Sequence, residues 1–249
     1  MKELKTIDEN KLVKGDIYII PEIFKCPVSL IRKGVRVFIW KLGAVGSQGS
    51  LVEQKQNIKH GCKYLSHNYW ITHAENLNIA EDRLFLPYIT PAKAHKGEVS
   101  NNKREALIIV NGHDPSSPDG NKVLNYCNDK DCKVRVLEGF DTSGLIEIYQ
   151  KAKIVVGFCM RGSERSPIEA VLAGAVLVSN NCLAAQDKRD FPIPNENLVT
   201  NENPVENVLG RILTNFEEGQ SRMGDMRTLY QRIGPHTLAE QTQRFLRNL

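Results

Sequence analysis

Short apolar runs alternate with stretches of helical spacing along most of this chain. That alternation predicts an α/β protein built on parallel sheets. The first run, DIYII at 16–20, is stopped by Pro21, and the second, VRVFIW at 35–40, is closed by the loop from Gly43 to Gly49. A short helix over 28–33 joins them into one strand–helix–strand unit. Residues 63–71 read as a strand leading to a turn, 72–79 as a helix, and LFL at 84–86 as a short run ended by Pro87. The composition then shifts. Residues 90–104, TPAKAHKGEVSNNKR, hold almost no large apolar side chain and predict a linker.

The second half has a cleaner pattern. ALIIV at 106–110 is a fully apolar strand, 111–120 a Gly/Pro/Ser/Asp loop, 121–127 a helix and 133–137 an alternating strand. Leu145, Ile148 and Tyr149 mark a helix over 143–152, and 154–158 a buried strand. Ser166 as N-cap, Pro167 in the first turn and Gly174 as the stop predict a helix over 166–173, followed by a strand at 176–179. The tail, 205–249, is mostly helical and charged. The expected architecture is two Rossmann-like domains, the N-terminal one abbreviated: 1–95, then 96–220, then a C-terminal helix within 221–249 packing back on the first domain.

A chain of 249 residues can bury a sizeable core, and 41% hydrophobic with 25% charged residues is ordinary for a globular protein. No apolar run approaches the roughly 20 residues of a membrane span. The first residues lack the apolar core of a secretory signal, so a cytoplasmic location is expected. A net charge of +4 suits phosphates and permits peripheral membrane contact, but is too small to imply a nucleic-acid partner. The six cysteines are scattered and read as reduced, packed thiols, and Cys127 with Cys132 lacks the second half of a zinc site.

The chemistry concentrates in IVVGFCMRGSERSPIEAVLAGAVLVSN, residues 154–180. A buried strand runs into a polar loop that delivers a helix, and in a doubly wound sheet ligands bind at the carboxyl ends of strands. A helix start there suits a diphosphate, and Glu169, early in the helix, suits a ribose diol. Ser166 and Glu169 equally fit a capping box, in which Glu169 only satisfies a backbone N–H. Arg161 and Arg165 are either a guanidinium fork for phosphate or a surface pair. Gly139 either lies against a nucleotide base or is a simple strand-end turn, and His113 either approaches a donor or is solvated. One of His67 and His73 can face an interdomain cleft as a base, and Trp40, Tyr69 and Trp70 can stack on a sugar or fill the core.

From Glu169 to Ser179, EAVLAGAVLVS resembles the donor-binding signature of GT-B glycosyltransferases, the large retaining group with two carboxylates spaced E-x7-E. The position eight before Glu169 is Arg161 rather than Glu. Gly162, Glu164, Arg165, Pro167, Glu169 and Ala170 resemble instead the G-x-[DE]-R-x-P-x-E-A pattern of a bacterial branch of GT-B-like proteins found among surface-polysaccharide genes. That branch commonly has Arg directly before the Glu, where this chain has Ile168. Weaker similarity to the branch runs over residues 15–200.

The resemblance implies a GT-B-like pair of domains and transfer of a sugar from a nucleotide-sugar, used as substrate with no other cofactor, to a glycan or lipid-linked acceptor. It implies Glu164 and Arg161 as catalytic residues. Glu169, Ser166, Pro167, Arg165, Gly139 and His113 would bind the donor. The loop after the first donor-domain strand has no Lys or Arg before Lys122, so the diphosphate falls to Arg161, Arg165, Lys122 or the helix dipole. No metal-ligand set is read, and transfer is expected to be metal-independent. The different-class alternative is a non-catalytic GT-B-like protein that binds a nucleotide-sugar or a partner glycosyltransferase; an epimerase on the same fold is a third.

Overall fold

The structure is a computed structural model that describes residues 8–41, 43, 51–74, 77, 79–87, 104–111, 117–137, 142–181 and 183–249. Among these residues, two separate parallel sheets organise the fold. In the first, β1 (Ile17–Pro21), β2 (Arg36–Lys41) and β3 (Lys63–Ser66) lie in the order β1-β2-β3, with α1 (Val28–Arg32) and α2 (Leu51–Lys59) as crossovers. Parallel neighbours cannot be joined by a hairpin, so each connection needs such a crossover. The apolar pattern assigns nothing to 51–59, because LVEQKQNIK is polar all round but for Leu51, Val52 and Ile58. Its helix is demanded by topology more than by amphipathicity. The strand expected over 63–71 is four residues long, and α3 (Tyr69–Ala74) begins before the expected 72.

The second sheet holds β4 (Glu105–Asn111), β5 (Val134–Leu137), β6 (Ala152–Val156), β7 (Val176–Asn180) and β8 (Leu198–Val199), all parallel, in the order β5-β4-β6-β7-β8. Within this domain that is the doubly wound order 2-1-3-4-5. Its helices are α4 (Pro118–Asp129), α5 (Thr142–Lys151) and α6 (Arg165–Leu172), followed by α7 (Val205–Thr214). α4 packs on α7 and α5 on α6, so both faces are covered. Ile154, Val155, Val156, Leu177 and Val178 are at most 1% exposed, as the near-continuous apolar runs of a two-sided parallel sheet require.

Arg104, the last residue of the polar stretch expected to be a linker, is buried. Its guanidinium donates to the carbonyls of Tyr149, Ala152 and Ala173, tying the end of α5, the start of β6 and the end of α6 together. Gly174, at φ +95°, passes close against it: a Cβ there would clash with Arg104 Nη2. The glycine serves both the left-handed turn and the close approach.

The cysteine expectation needs one correction. Cys26 and Cys62, 36 residues apart, are joined by a disulfide at the edge of the first core, where the folded path brings together two residues that sequence spacing leaves unrelated. Cys127 is a buried free thiol.

Three further helices, α8 (Phe216–Arg222), α9 (Gly224–Arg232) and α10 (Pro235–Arg247), complete the chain. α9 packs on α6, whereas α10 returns to the first sheet, where Phe245 sets its ring 4.9 Å from Phe38 and 5.6 Å from Phe85. Arg244 donates to the Glu81 carbonyl, and Gln241 accepts from the Leu86 N–H at 3.2 Å. Phe245→Ala should cost about 3–5 kcal/mol, because it empties an aromatic cluster that cannot collapse inward. A urea titration checks this, and a loss below about 1 kcal/mol would mean that α10 is not part of the first domain's core.

Candidate functional site

The carboxyl ends of the second sheet's strands share one edge, and the strand order reverses between β4 and β6, which is where a doubly wound sheet opens a crevice. Residues 157–164 leave β6 at this edge. The Gly157 N–H donates to the Val178 carbonyl at 3.0 Å, and its own carbonyl accepts from the Ser179 hydroxyl at 2.6 Å. A Cβ on it would stand 3.1 Å from Pro167 Cγ, so the strand end and α6 approach as only glycine comfortably permits. Cys159 follows at φ +49°, a conformation side chains rarely adopt, and its N–H donates to Asn180 Oδ1 at 2.9 Å. Asn180 reaches on to Asp119 at the start of α4, 3.3 Å away.

Glu164 is the residue before α6, and its carboxylate folds back on its own loop. It accepts from the Arg161 N–H at 2.5 Å and from the Gly162 N–H at 3.2 Å. α6 therefore starts at Arg165, and Ser166 is its second residue rather than its N-cap. The Ser166 side chain lies beside the Tyr149 phenol, which burial pushes up to about 12 while Ser166 pulls the other way.

Glu169 closes no capping box either. Its Oε1 accepts from Arg165 Nη2 at 2.8 Å and Nε at 3.2 Å, the ordinary meeting of side chains four apart on a helix. The Arg165 side chain is 65% exposed and that of Glu169 13%, so the pair is weak and easily exchanged. Arg161 is exposed, and among the described residues no ion pair engages its guanidinium. The fold thus gathers Arg161, Glu164, Arg165, Ser166, Pro167 and Glu169 around one turn at the carboxyl edge. Gly139 and His113 lie outside the described residues.

Two buried residues link the domains, and one of them, His67, reaches this turn. His67, just after β3, is buried. Its Nδ1 lies 2.9 Å from the Lys41 carbonyl, and its Nε2 accepts from the Ser163 N–H at 3.0 Å. Burial holds its pKa below the usual range, with the Lys41 carbonyl pulling the other way. A neutral ring with the proton on Nδ1 satisfies both contacts, and with both nitrogens engaged it is not a free general base. His73 is exposed.

Asp190, 2% exposed, accepts from the first two N–H groups of α3, Tyr69 at 2.8 Å and Trp70 at 2.7 Å, while its carbonyl accepts from the Tyr230 hydroxyl at 2.7 Å. Arg189 lies over the Tyr69 ring at 4.6 Å, and Trp70 packs against both domain cores rather than standing open to a sugar. Only the sequence SHNYW, polar and aromatic after a strand, hinted at this junction.

The expectation of no metal left one acidic spacing out of account, Asp129-Lys130-Asp131. It lies where α4 ends and the chain turns into β5, which is the amino edge of the sheet, opposite the crevice. Among the described residues, no group of three or more His, Cys, Asp or Glu side chains is placed to hold a metal. No helix among them is long and apolar enough to cross a membrane.

No protein-family model matches the sequence, and no curated protein does. Among solved structures, the chain is similar to AviGT4, a glycosyltransferase involved in avilamycin A biosynthesis, with a TM-score of 0.50 and 12% identity over 94% of this chain and 98% of that one. The pneumococcal O-GlcNAc transferase GtfA, in complex with UDP and GlcNAc, matches at a TM-score of 0.44 and 10% identity, over 95% of this chain and 54% of that one. The fold is α/β with two Rossmann-like domains in the GT-B manner, the first one abbreviated.

Burial pushes the Asp190 carboxyl up to about 7, against the pull of the Tyr69 and Trp70 N–H groups. The folded protein therefore holds this proton more tightly than the unfolded chain. The stability that follows is whole below about pH 4 and is lost as pH rises through about 7. Urea midpoints should fall between about pH 5 and about pH 8, and Asp190→Asn should flatten that slope. An Asn variant with the wild-type slope would assign the titration to another group.

Proposed function

We propose that the chain is a glycosyltransferase that moves a sugar from a nucleotide-sugar to a glycan or lipid-linked acceptor in the cytoplasm, during surface-glycan assembly. Transfer proceeds with retention of anomeric configuration and without a metal ion. The observation that carries this reading is the turn at the switch point, where Arg161, Glu164, Arg165 and Glu169 surround the start of α6. Backbone N–H groups and the helix dipole there suit a diphosphate, and a guanidinium fork matches its oxygens. Glu169 takes the ribose hydroxyls once Arg165 leaves it for phosphate. The bond from the anomeric carbon to the diphosphate oxygen breaks as one to the acceptor oxygen forms on the same face, and the acceptor's hydroxyl proton passes to the departing diphosphate oxygen. The protein contributes mainly by placing the two and by stabilising the leaving diphosphate, with the Arg161 guanidinium as the cation for it and Glu164 holding the loop that carries Arg161. The description of AviGT4 as a glycosyltransferase fits this reading.

The acceptor side falls to the first domain. A cavity of about 590 Å³ beside the carboxyl ends of β1 and β2 is lined by Glu22, Lys41, Glu53, Asn57, His60 and Tyr64, a set suited to sugar hydroxyls. Glu22 and Lys41 form an ion pair of 2.8 Å within it.

One observation favours a non-catalytic binder instead. Glu164 is turned onto its own loop and Glu169 onto Arg165, so both acidic groups are already occupied. Thermal unfolding against the uridine, guanosine, adenosine, cytidine and thymidine diphosphates tests the donor site. A ligand at a hundred times its dissociation constant adds about 2.7 kcal/mol. One of them should raise Tm, and Glu169→Ala should abolish the rise while leaving the unliganded Tm within a few degrees. A variant that still responds fully would remove Glu169 from the site. Release of free sugar from the matching nucleotide-sugar would separate an enzyme from a binder.

A further inference from the structure

Two buried polar links cross the seam between the sheets, and one of them ends on the loop that carries the proposed donor site. His67 sits between Lys41, the last residue of β2, and Ser163, the residue before Glu164. The Ser163 N–H is buried with the ring, and its hydroxyl also donates to the His67 carbonyl at 3.4 Å. On the other side, Lys41 lines the first domain's cavity through its side chain while its carbonyl holds His67.

We propose that His67 is a positioning residue for the donor site: its ring, with Nδ1–H on the Lys41 carbonyl and Nε2 on the Ser163 N–H, sets the loop 161–164 against the first domain. The proposal rests on the donor-site reading, but its core claim, that His67 holds the loop, is measurable without any ligand.

Physical chemistry limits what can replace the ring. The loop already bends around the Glu164 carboxylate, which takes the Arg161 and Gly162 N–H groups. The next N–H, that of Ser163, points the other way, into the first domain. If it loses its acceptor, a buried donor is left without a partner, which the loop relieves only by moving toward water. Such a movement drags Arg161 and Glu164 with it. The ring also needs one particular tautomer, because a proton on Nε2 would set two donors against each other at 3.0 Å.

Two conservative variants divide the ring's two bonds. An asparagine amide occupies the place of Nδ1 and does not reach Ser163. A glutamine amide reaches the place of Nε2, where its oxygen accepts. His67→Asn should therefore speed hydrogen exchange at the amides of 161–164 by roughly tenfold, about the worth of one buried hydrogen bond, and His67→Gln should leave them near wild type. In the nucleoside diphosphate titration, His67→Asn should weaken binding by roughly the same factor, and His67→Gln should restore it.

Unchanged exchange in His67→Asn would overturn the proposal. So would equal exchange in the two variants, and so would an undiminished nucleotide response in His67→Asn. If the wild-type protein answers to no diphosphate, the donor-site reading fails by itself, and the exchange rates still decide whether His67 holds the loop. Should His67→Asn not fold, nitrogen-15 spectra of the wild-type histidines decide: a His67 ring protonated on Nδ1 and bare on Nε2 supports the proposal, and the opposite tautomer overturns it.

Discussion

The seam between the two sheets is closed by polar groups that have no water to fall back on. Asp190 accepts from the first two N–H groups of α3, the Tyr230 hydroxyl donates to the carbonyl of Asp190, and His67 joins the end of β2 to the loop before α6. Each buried donor left alone costs about 1–3 kcal/mol, so displacing one sheet against the other strands several groups at once. This requirement fixes the relative placement of the domains more firmly than apolar contact can, because apolar contact is non-directional. Helix α10 adds the apolar part, carrying Phe245 from the end of the chain into the first domain's aromatic cluster.

The same logic operates inside the second domain. Arg104 is a buried cation whose guanidinium reaches three carbonyls, one of them at the end of α6. Gly157 lets the start of that helix lie against the end of β6. With one end held by Arg104 and the other pressed on a glycine, α6 cannot shift along its axis. Its first turn and the loop before it are where the candidate residues meet.

Around that turn the charges differ in how tightly they are held. The Arg165–Glu169 pair is exposed on one side and contributes on the order of 0.5 kcal/mol, so a ligand rearranges it at little cost. Glu164 is bound more firmly, since a carboxylate on backbone N–H groups is a charge-assisted contact. On the proposed donor reading, a phosphate arriving at this loop would displace Arg165 more readily than Glu164.

The layering follows from the residue pattern alone. Apolar runs of three to five residues at 106–110, 154–156 and 176–178 call for burial on both faces, and that implies a parallel sheet with covering helices. The turn at 161–169 was legible for a related reason: a strand, a polar loop and a Pro-containing helix start are local signals. Local signals were weaker at α2, whose helix answers to the need for a crossover, and at the first residue of α6, where Glu164 took the position that the Ser166 pattern claimed. No local pattern predicts the meetings across long separations: Arg104 with the Ala173 carbonyl, Cys26 with Cys62, His67 with Ser163, Asp190 with Tyr69. The reason is physical. Periodicity reports which face of an element is apolar, but a polar residue such as Arg104, His67 or Asp190 reads as solvated until the fold brings it a partner to replace water.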